Sequence, residues 1–139
     1  MKLYELGYTT GVFDIFHIGH LNILRRAKEC CQTLIVGVCT DELTLALKGA
    51  PPVIPFVDRL QIIQSIKYVD LAVAENTDDK LEAWRQYQFE VIFKGDDWQG
   101  TPKWIALEQK FREVGVSVVF LPYTPGVNST TLREKLLAE

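Results

Sequence analysis

The sequence predicts a doubly wound α/β fold, a mostly parallel five-stranded sheet with helices on both faces. Three observations point there. Short, near-continuous Val, Ile and Leu runs recur along the chain, as strands buried on both faces require. Longer segments with apolar residues every three to four positions alternate with them. Both histidines, and most of the Gly, Thr, Ser and Asp, gather in the segments that follow the apolar runs.

The elements follow in order. A first strand lies within residues 3–12. "HLNILRRAKECC" (20–31) then sets Leu21, Leu24, Ala27 and Cys31 at helical spacing, with Cys30 and Cys31 as packing residues at its end. "LIVGV" (34–38) is the second strand. "VDRLQIIQSIKYV" (57–69) reads as a helix on Leu60, Ile63 and Ile66, and "DLAVA" (70–74) as a strand. "EVIFK" (90–94) and "VSVVFL" (116–121) complete the sheet. Between them, "TPKWIALEQKFREVG" opens with Thr101 as N-cap and Pro102 at the first helical position, and closes on Gly115. "STTLREKLLAE" (129–139) carries a capping-box pattern in Thr131 and Glu134, with Ser129 and Thr130 as alternative caps. Trp84, Trp104 and the tyrosines fit core or interface positions better than stacking platforms. No repeat, low-complexity tract or linker divides the chain, so residues 1–139 are expected to form one domain.

Composition narrows the function classes. At 139 residues the chain can bury roughly two-thirds of its unfolded surface. A net charge of −3 supplies no field for nucleic acid, and "RRAK" is a helix surface patch. Three cysteines make no disulfide framework and fit a reducing, cytoplasmic compartment. "MKLYELGYTT" lacks a signal-peptide core, and no apolar run approaches the roughly 20 residues of a membrane span, so a soluble protein without a membrane partner is expected.

In open α/β sheets ligands sit beyond the carboxyl ends of the strands, against helix N-termini. Here those segments are "TTGVFDIFHIGH", "CTDELTLALKGAPP", "KGDDWQG" and "PYTPGVNSTT". His17-Ile18-Gly19-His20 joins the first strand to the first helix. The pair has three readings: metal ligands, a base with its partner, or donors to phosphate at a helix start. Two histidines with no cysteine nearby fall short of a four-ligand zinc site. Gly19 removes a side chain where backbone comes close to a ligand or another turn. "KGDDWQG" ends a buried strand on Asp-Asp, which calls for a ligand or a turn as partner.

"GVFDIFHIGH" resembles the GxFDxxHxGH signature of the cytidylyltransferase-like nucleotidyltransferases, and the wider match is similar to their glycerol-3-phosphate cytidylyltransferases. "CTDE", "IKYVD", "GDDW" and "PYTPGVNSTT" extend it over nearly the whole chain. The resemblance implies attack of a phosphate monoester on the α-phosphorus of CTP, with Mg²⁺ on the triphosphate, no metal site assigned to the protein, and a homodimer. An attacking phosphate with a second pKa near 6 is already ionised and needs no general base. In the same way the resemblance implies catalytic roles for His17, His20, Lys48 and Arg59. It assigns nucleotide contacts to Thr10, Gly11, Val12, Phe13, Asp14, Gly19, Gly95, Asp97, Ser129, Thr130 and Thr131. The acceptor would meet Lys67, Asp14, Trp98 and Tyr123. Glycerol 3-phosphate is the first acceptor expected, giving CDP-glycerol.

The chain departs from that pattern at several positions. Tyr123 replaces a family arginine, Val12 a hydroxyl residue, and one residue is inserted around Asn128. Arg133 offers a replacement charge. Lys67 stands where the glycerol-phosphate enzymes carry arginine. Lys94-Gly95 also resembles the heptose-phosphate adenylyltransferases, which keeps ATP open as the nucleotide. A nucleotide-binding module without turnover is the reading from a different class.

Overall fold

The computed structural model describes residues 2–138. The element order is β1(Tyr4–Gly11), α1(Ile18–Cys30), β2(Cys31–Cys39), α2(Asp41–Lys48), α3(Phe56–Gln64), β3(Leu71–Glu75), α4(Lys80–Tyr87), β4(Val91–Gly95), a single 3-10 turn Asp96–Trp98, α5(Pro102–Glu113), β5(Ser117–Leu121) and α6(Ser129–Ala138). The five strands are all parallel, in the order β3-β2-β1-β4-β5. The chain therefore runs outward from β1 on one side and then returns to lay β4 on the other. That reversal opens a crevice beyond the tips of β1 and β4, the binding position of doubly wound folds.

Strand alternation builds two cores. Val36, Phe93 and their neighbours on one face pack with Leu24 and Ala27 of α1 and Ile63 of α3. Ile35 and Ile92, one residue out of step, pack on the other face with Trp104 and Phe111 of α5. Trp104 is fully buried, and Trp84 and Tyr87 pack at the edge of that core.

The boundaries differ from the sequence expectation where backbone bonds intervene. The first helix stops at Cys30, because Cys31 has already turned extended (φ −138°, ψ 156°) and starts β2 with no linker. The helix expected over 57–69 ends at Gln64, where Ser65 N–H bonds back to Gln61 and Ile62 and the chain continues in tight turns through Val69. Two eight-residue helices, α2 and α4, were not expected, and each buries only one side chain, Thr44 and Lys80. Thr101 and Pro102 open α5 as expected. The cap of α6 is Asn128, whose Oδ1 accepts from Thr131 N–H at 2.7 Å, rather than the Thr131–Glu134 box. Glu139 of the expected last helix lies outside the described residues. No helix among the described residues is long and apolar enough to cross a membrane.

Candidate active site

After β1 the chain turns sharply, with Phe13 (φ 56°) and Ile15 (φ 48°) both in the left-handed region. Side chains rarely hold that conformation, at a cost of about 1–3 kcal/mol each. The surrounding bonds that hold it run through Asp14. Its buried carboxylate accepts from Val53 N–H (2.8 Å), Ile54 N–H (2.9 Å) and Arg133 (2.9 Å), and these donors hold its pKa down against burial. Ser129 donates to the Asp14 carbonyl, so α6 is tied to the same turn.

The turn delivers His17 as the N-cap of α1 and His20 one turn in. Gly19 N–H donates to His17 Nδ1 (3.0 Å), and His17 N–H donates to His20 Nδ1 (3.2 Å). This is a capping box built from two imidazoles, with ring centroids 3.8 Å apart. A Cβ on Gly19 would stand 2.8 Å from His17 Cε1, so the glycine makes room for its neighbour's ring. Because both Nδ1 atoms accept backbone protons, each neutral ring carries its hydrogen on Nε2. Burial lowers the pKa of His17. Burial, with His17 and Lys48 nearby, pushes that of His20 down to about 3. Both rings are therefore neutral donors at pH 7.

The two histidines line a cavity of about 410 Å³ beyond the strand tips. Of the nucleotide set read from the sequence, Thr10, Gly11, Val12, Phe13, Gly19, Gly95, Asp97, Ser129 and Thr130 line it too, as do Lys48, Trp98 and Tyr123. Lys94, Thr124 and Asn128 join them. A second cavity of about 290 Å³ shares His20, Lys48 and Ser129 and adds Asp14, Thr44 and Arg133. Beneath the floor, Thr10 and Cys39 donate to Glu75 Oε2, and Lys80 pairs with Glu75 Oε1 at 2.7 Å, all buried. No spacing marked that network, since Glu75 and Lys80 meet Thr10 only through the sheet.

Three expected residues fall outside both cavities. Arg59 is buried with its guanidinium committed to the carbonyls of Ile54 (2.8 Å), Val12 (2.7 Å) and Cys39 (2.8 Å) and to Asp41 (2.7 Å). It positions the β1 turn and the tip of β2, and it does not face the cavity. Lys67 sits at the amino end of β3, exposed and over the Tyr68 ring, away from the strand tips. Thr131 lies in the first turn of α6 with its N–H capped by Asn128.

The "GDDW" carboxylates divide. Asp96 accepts from Tyr123 N–H (3.3 Å), holding the β5 loop, and Asp97 remains on the cavity wall. Among the described residues no group of three or more His, Cys, Asp or Glu is placed to hold a metal ion.

Residues 8–135 match the family model described as Cytidylyltransferase-like. The chain is 39% identical over 116 residues to FAD synthase of Pyrococcus abyssi, covering 81% of this chain and 77% of that protein. It is 33% identical over 129 residues to glycerol-3-phosphate cytidylyltransferase of Bacillus subtilis, covering 92% and 94%. The crystal structure of the lipopolysaccharide core biosynthesis protein from Thermoplasma volcanium superposes with a TM-score of 0.73 at 27% identity, covering 87% of this chain and 99% of that one.

Proposed function

Because the chain belongs to the cytidylyltransferase-like family, we propose that it transfers a nucleotidyl group from CTP to a small phosphate monoester, releasing pyrophosphate. Glycerol 3-phosphate is the first acceptor to test, on the similarity to the Bacillus subtilis enzyme of that name. The observation that carries the reading is the pair of neutral imidazoles at the N-terminus of α1, which line the main cavity and whose Nε2–H groups have no partner among the described residues.

The chemistry asks for little more. The acceptor phosphate is ionised at pH 7, so no base is required. Rate comes from in-line placement and from fixed donors at the charge that develops on the phosphate oxygens. His17 and His20 supply those donors, α1 adds its positive end, and Lys48, at the rim of both cavities, supplies a mobile charge. A Mg²⁺ ion bound with the triphosphate would neutralise charge on its phosphates, and such an ion needs few protein ligands. Val12 and Phe13 frame the phosphates from one side, and Ser129 and Thr130 at the start of α6 from another, with the Thr130 hydroxyl as a donor.

A second reading has its own support. Lys94-Gly95 and the similarity to an enzyme named for FAD, a product containing adenylate, favour ATP as nucleotide. Pyrophosphate release with CTP and with ATP across a panel of phosphate monoesters separates the two. If neither nucleotide turns over while CTP still raises the melting temperature, the protein is a binding module and the proposal fails.

A further inference from the structure

The second cavity, of about 290 Å³, opens from the main one across Val12, Phe13, His20, Lys48, Ser129 and Thr130, which line both. Its remaining lining is of two kinds. Asp14, Thr44 and Arg133 form a polar end, and Ala50, Pro51 and Pro52 form an apolar ledge in the loop that follows α2. The polar end is short of an anion. Among the described residues Arg133 bonds only to Asp14, at 2.9 Å, and its Nε is buried with no acceptor. Asp14 is shared further with the N–H groups of Val53 and Ile54. With Lys48 at the rim, two cations face this single carboxylate, and a phosphate brings the acceptors they lack.

The ledge offers the rest of such a ligand little to bond. Pro51 and Pro52 have no N–H, and the side chain of Ala50 is a methyl group. The next N–H groups along the chain, those of Val53 and Ile54, are committed to Asp14. Two of the hydroxyls that line the cavity are committed as well: Thr44 donates to the Thr40 carbonyl at 2.8 Å, and Ser129 to the Asp14 carbonyl. A polyol lying here would bury hydroxyls short of partners, whereas an apolar body would gain by leaving water.

We propose that the Ala50–Pro52 ledge sets acceptor specificity, selecting phosphate monoesters with an apolar body over polyol phosphates, while Lys48 and Arg133 hold the phosphate. The assignment rests on the nucleotidyl-transfer reading above and narrows its acceptor, so that glycerol 3-phosphate ranks below a monoester of similar size that carries a flat apolar group. The transfer itself is unchanged. An oxygen of the acceptor phosphate forms a bond to the α-phosphorus, the bond from that phosphorus to the bridging oxygen breaks, and the electron pair leaves with pyrophosphate.

The test compares phenyl phosphate with glycerol 3-phosphate, which carry the same phosphate on an apolar ring and on a pair of hydroxyls. Each is titrated calorimetrically into the full chain, alone and saturated with a non-hydrolysable analogue of CTP or ATP, and kcat/KM is measured with the nucleotide that turns over. Burial of part of the ring predicts phenyl phosphate favoured about tenfold in both measurements. Ala50 and Pro51 are exposed, so changes there leave the core intact. Pro51→Asn, which sets an amide on the ledge, should cut the preference to about threefold or less. Ala50→Glu should weaken both monoesters about tenfold or more and keep nucleotide affinity within about threefold. Equal affinity for the two monoesters, or a preference for glycerol 3-phosphate, overturns the proposal, as does monoester affinity unchanged in Ala50→Glu. Absence of turnover with either nucleotide counts against the parent reading, and the titrations then decide the ledge by themselves.

Discussion

His17 and His20 cap one helix for each other: the Nδ1 of each ring accepts a backbone proton from the first turn of α1, at 3.0 Å and 3.2 Å. Capping thus uses one nitrogen of each ring and leaves the other for the proposed chemistry. Asparagine at either position keeps an acceptor near the Nδ1 site and removes the Nε2 donor. His17→Asn and His20→Asn should therefore melt within a few degrees of wild type while kcat falls by about 10²–10³. The alanine variants should lose the cap as well, at about 1 kcal/mol. Near-normal kcat in both asparagine variants would remove the histidines from the chemistry.

Acid should undo the same pair. The folded pKa of His20 is held near 3 by burial, and that of His17 is also lowered, against 6.5 for a free imidazole. As pH falls below 6.5 the unfolded chain takes up protons that the folded chain refuses, so stability present above 6.5 is lost on the way down. Each histidine contributes a slope of up to about 1.4 kcal/mol per pH unit. Urea unfolding between pH 7 and about 5.5, above the range where carboxylates enter, should show a shallower loss for His20→Asn. Parallel lines for variant and wild type would refute the assignment.

Arg59 should behave as a structural residue. Arg59→Met strands three carbonyls and the Asp41 carboxylate, and a loss of about 3–5 kcal/mol is expected from breaking such a buried group. Arg59→Lys should also fall well short of wild-type stability, because one ammonium does not reproduce a four-way fork. An Arg59→Lys protein with the wild-type urea midpoint and no turnover would return Arg59 to the reaction.

Asp14→Asn should loosen α6 selectively. The change removes the charge opposite Arg133 and keeps one of the two oxygens that accept from the 53–54 turn. Amide exchange across 129–138 should rise by about tenfold or more, with β1 and β2 unaffected. Uniformly faster exchange would mean that Asp14 holds the whole sheet.

How much of this was legible in the sequence follows from the range of the forces involved. The strands and the HxGH position were readable, because continuous apolar runs and a glycine at a helix start are local signals. Arg59 was not, since an arginine's neighbours in sequence do not say whether its fork meets phosphate or three backbone carbonyls. Lys67 went astray for a related reason: α3 ends early, at Gln64, and leaves it at the amino end of β3. The short helices α2 and α4 bury too little to leave a periodic stripe. Asn128, read as an insertion, turns out to be the cap that starts α6 and frees the Ser129 hydroxyl for Asp14.

The ties that close the site span long stretches of chain: Asn22 to Thr124 over 102 residues, Ser129 to Asp14 over 115 and Arg133 to Asp14 over 119. β1, β2 and β3 pair within the first 75 residues and need none of them. Closing loops of that length costs entropy that early contacts do not repay. Assembly in time therefore has a direction. A nascent chain can lay down three of its five strands, histidines included, before the final helix docks on Asp14 and completes the wall of both cavities.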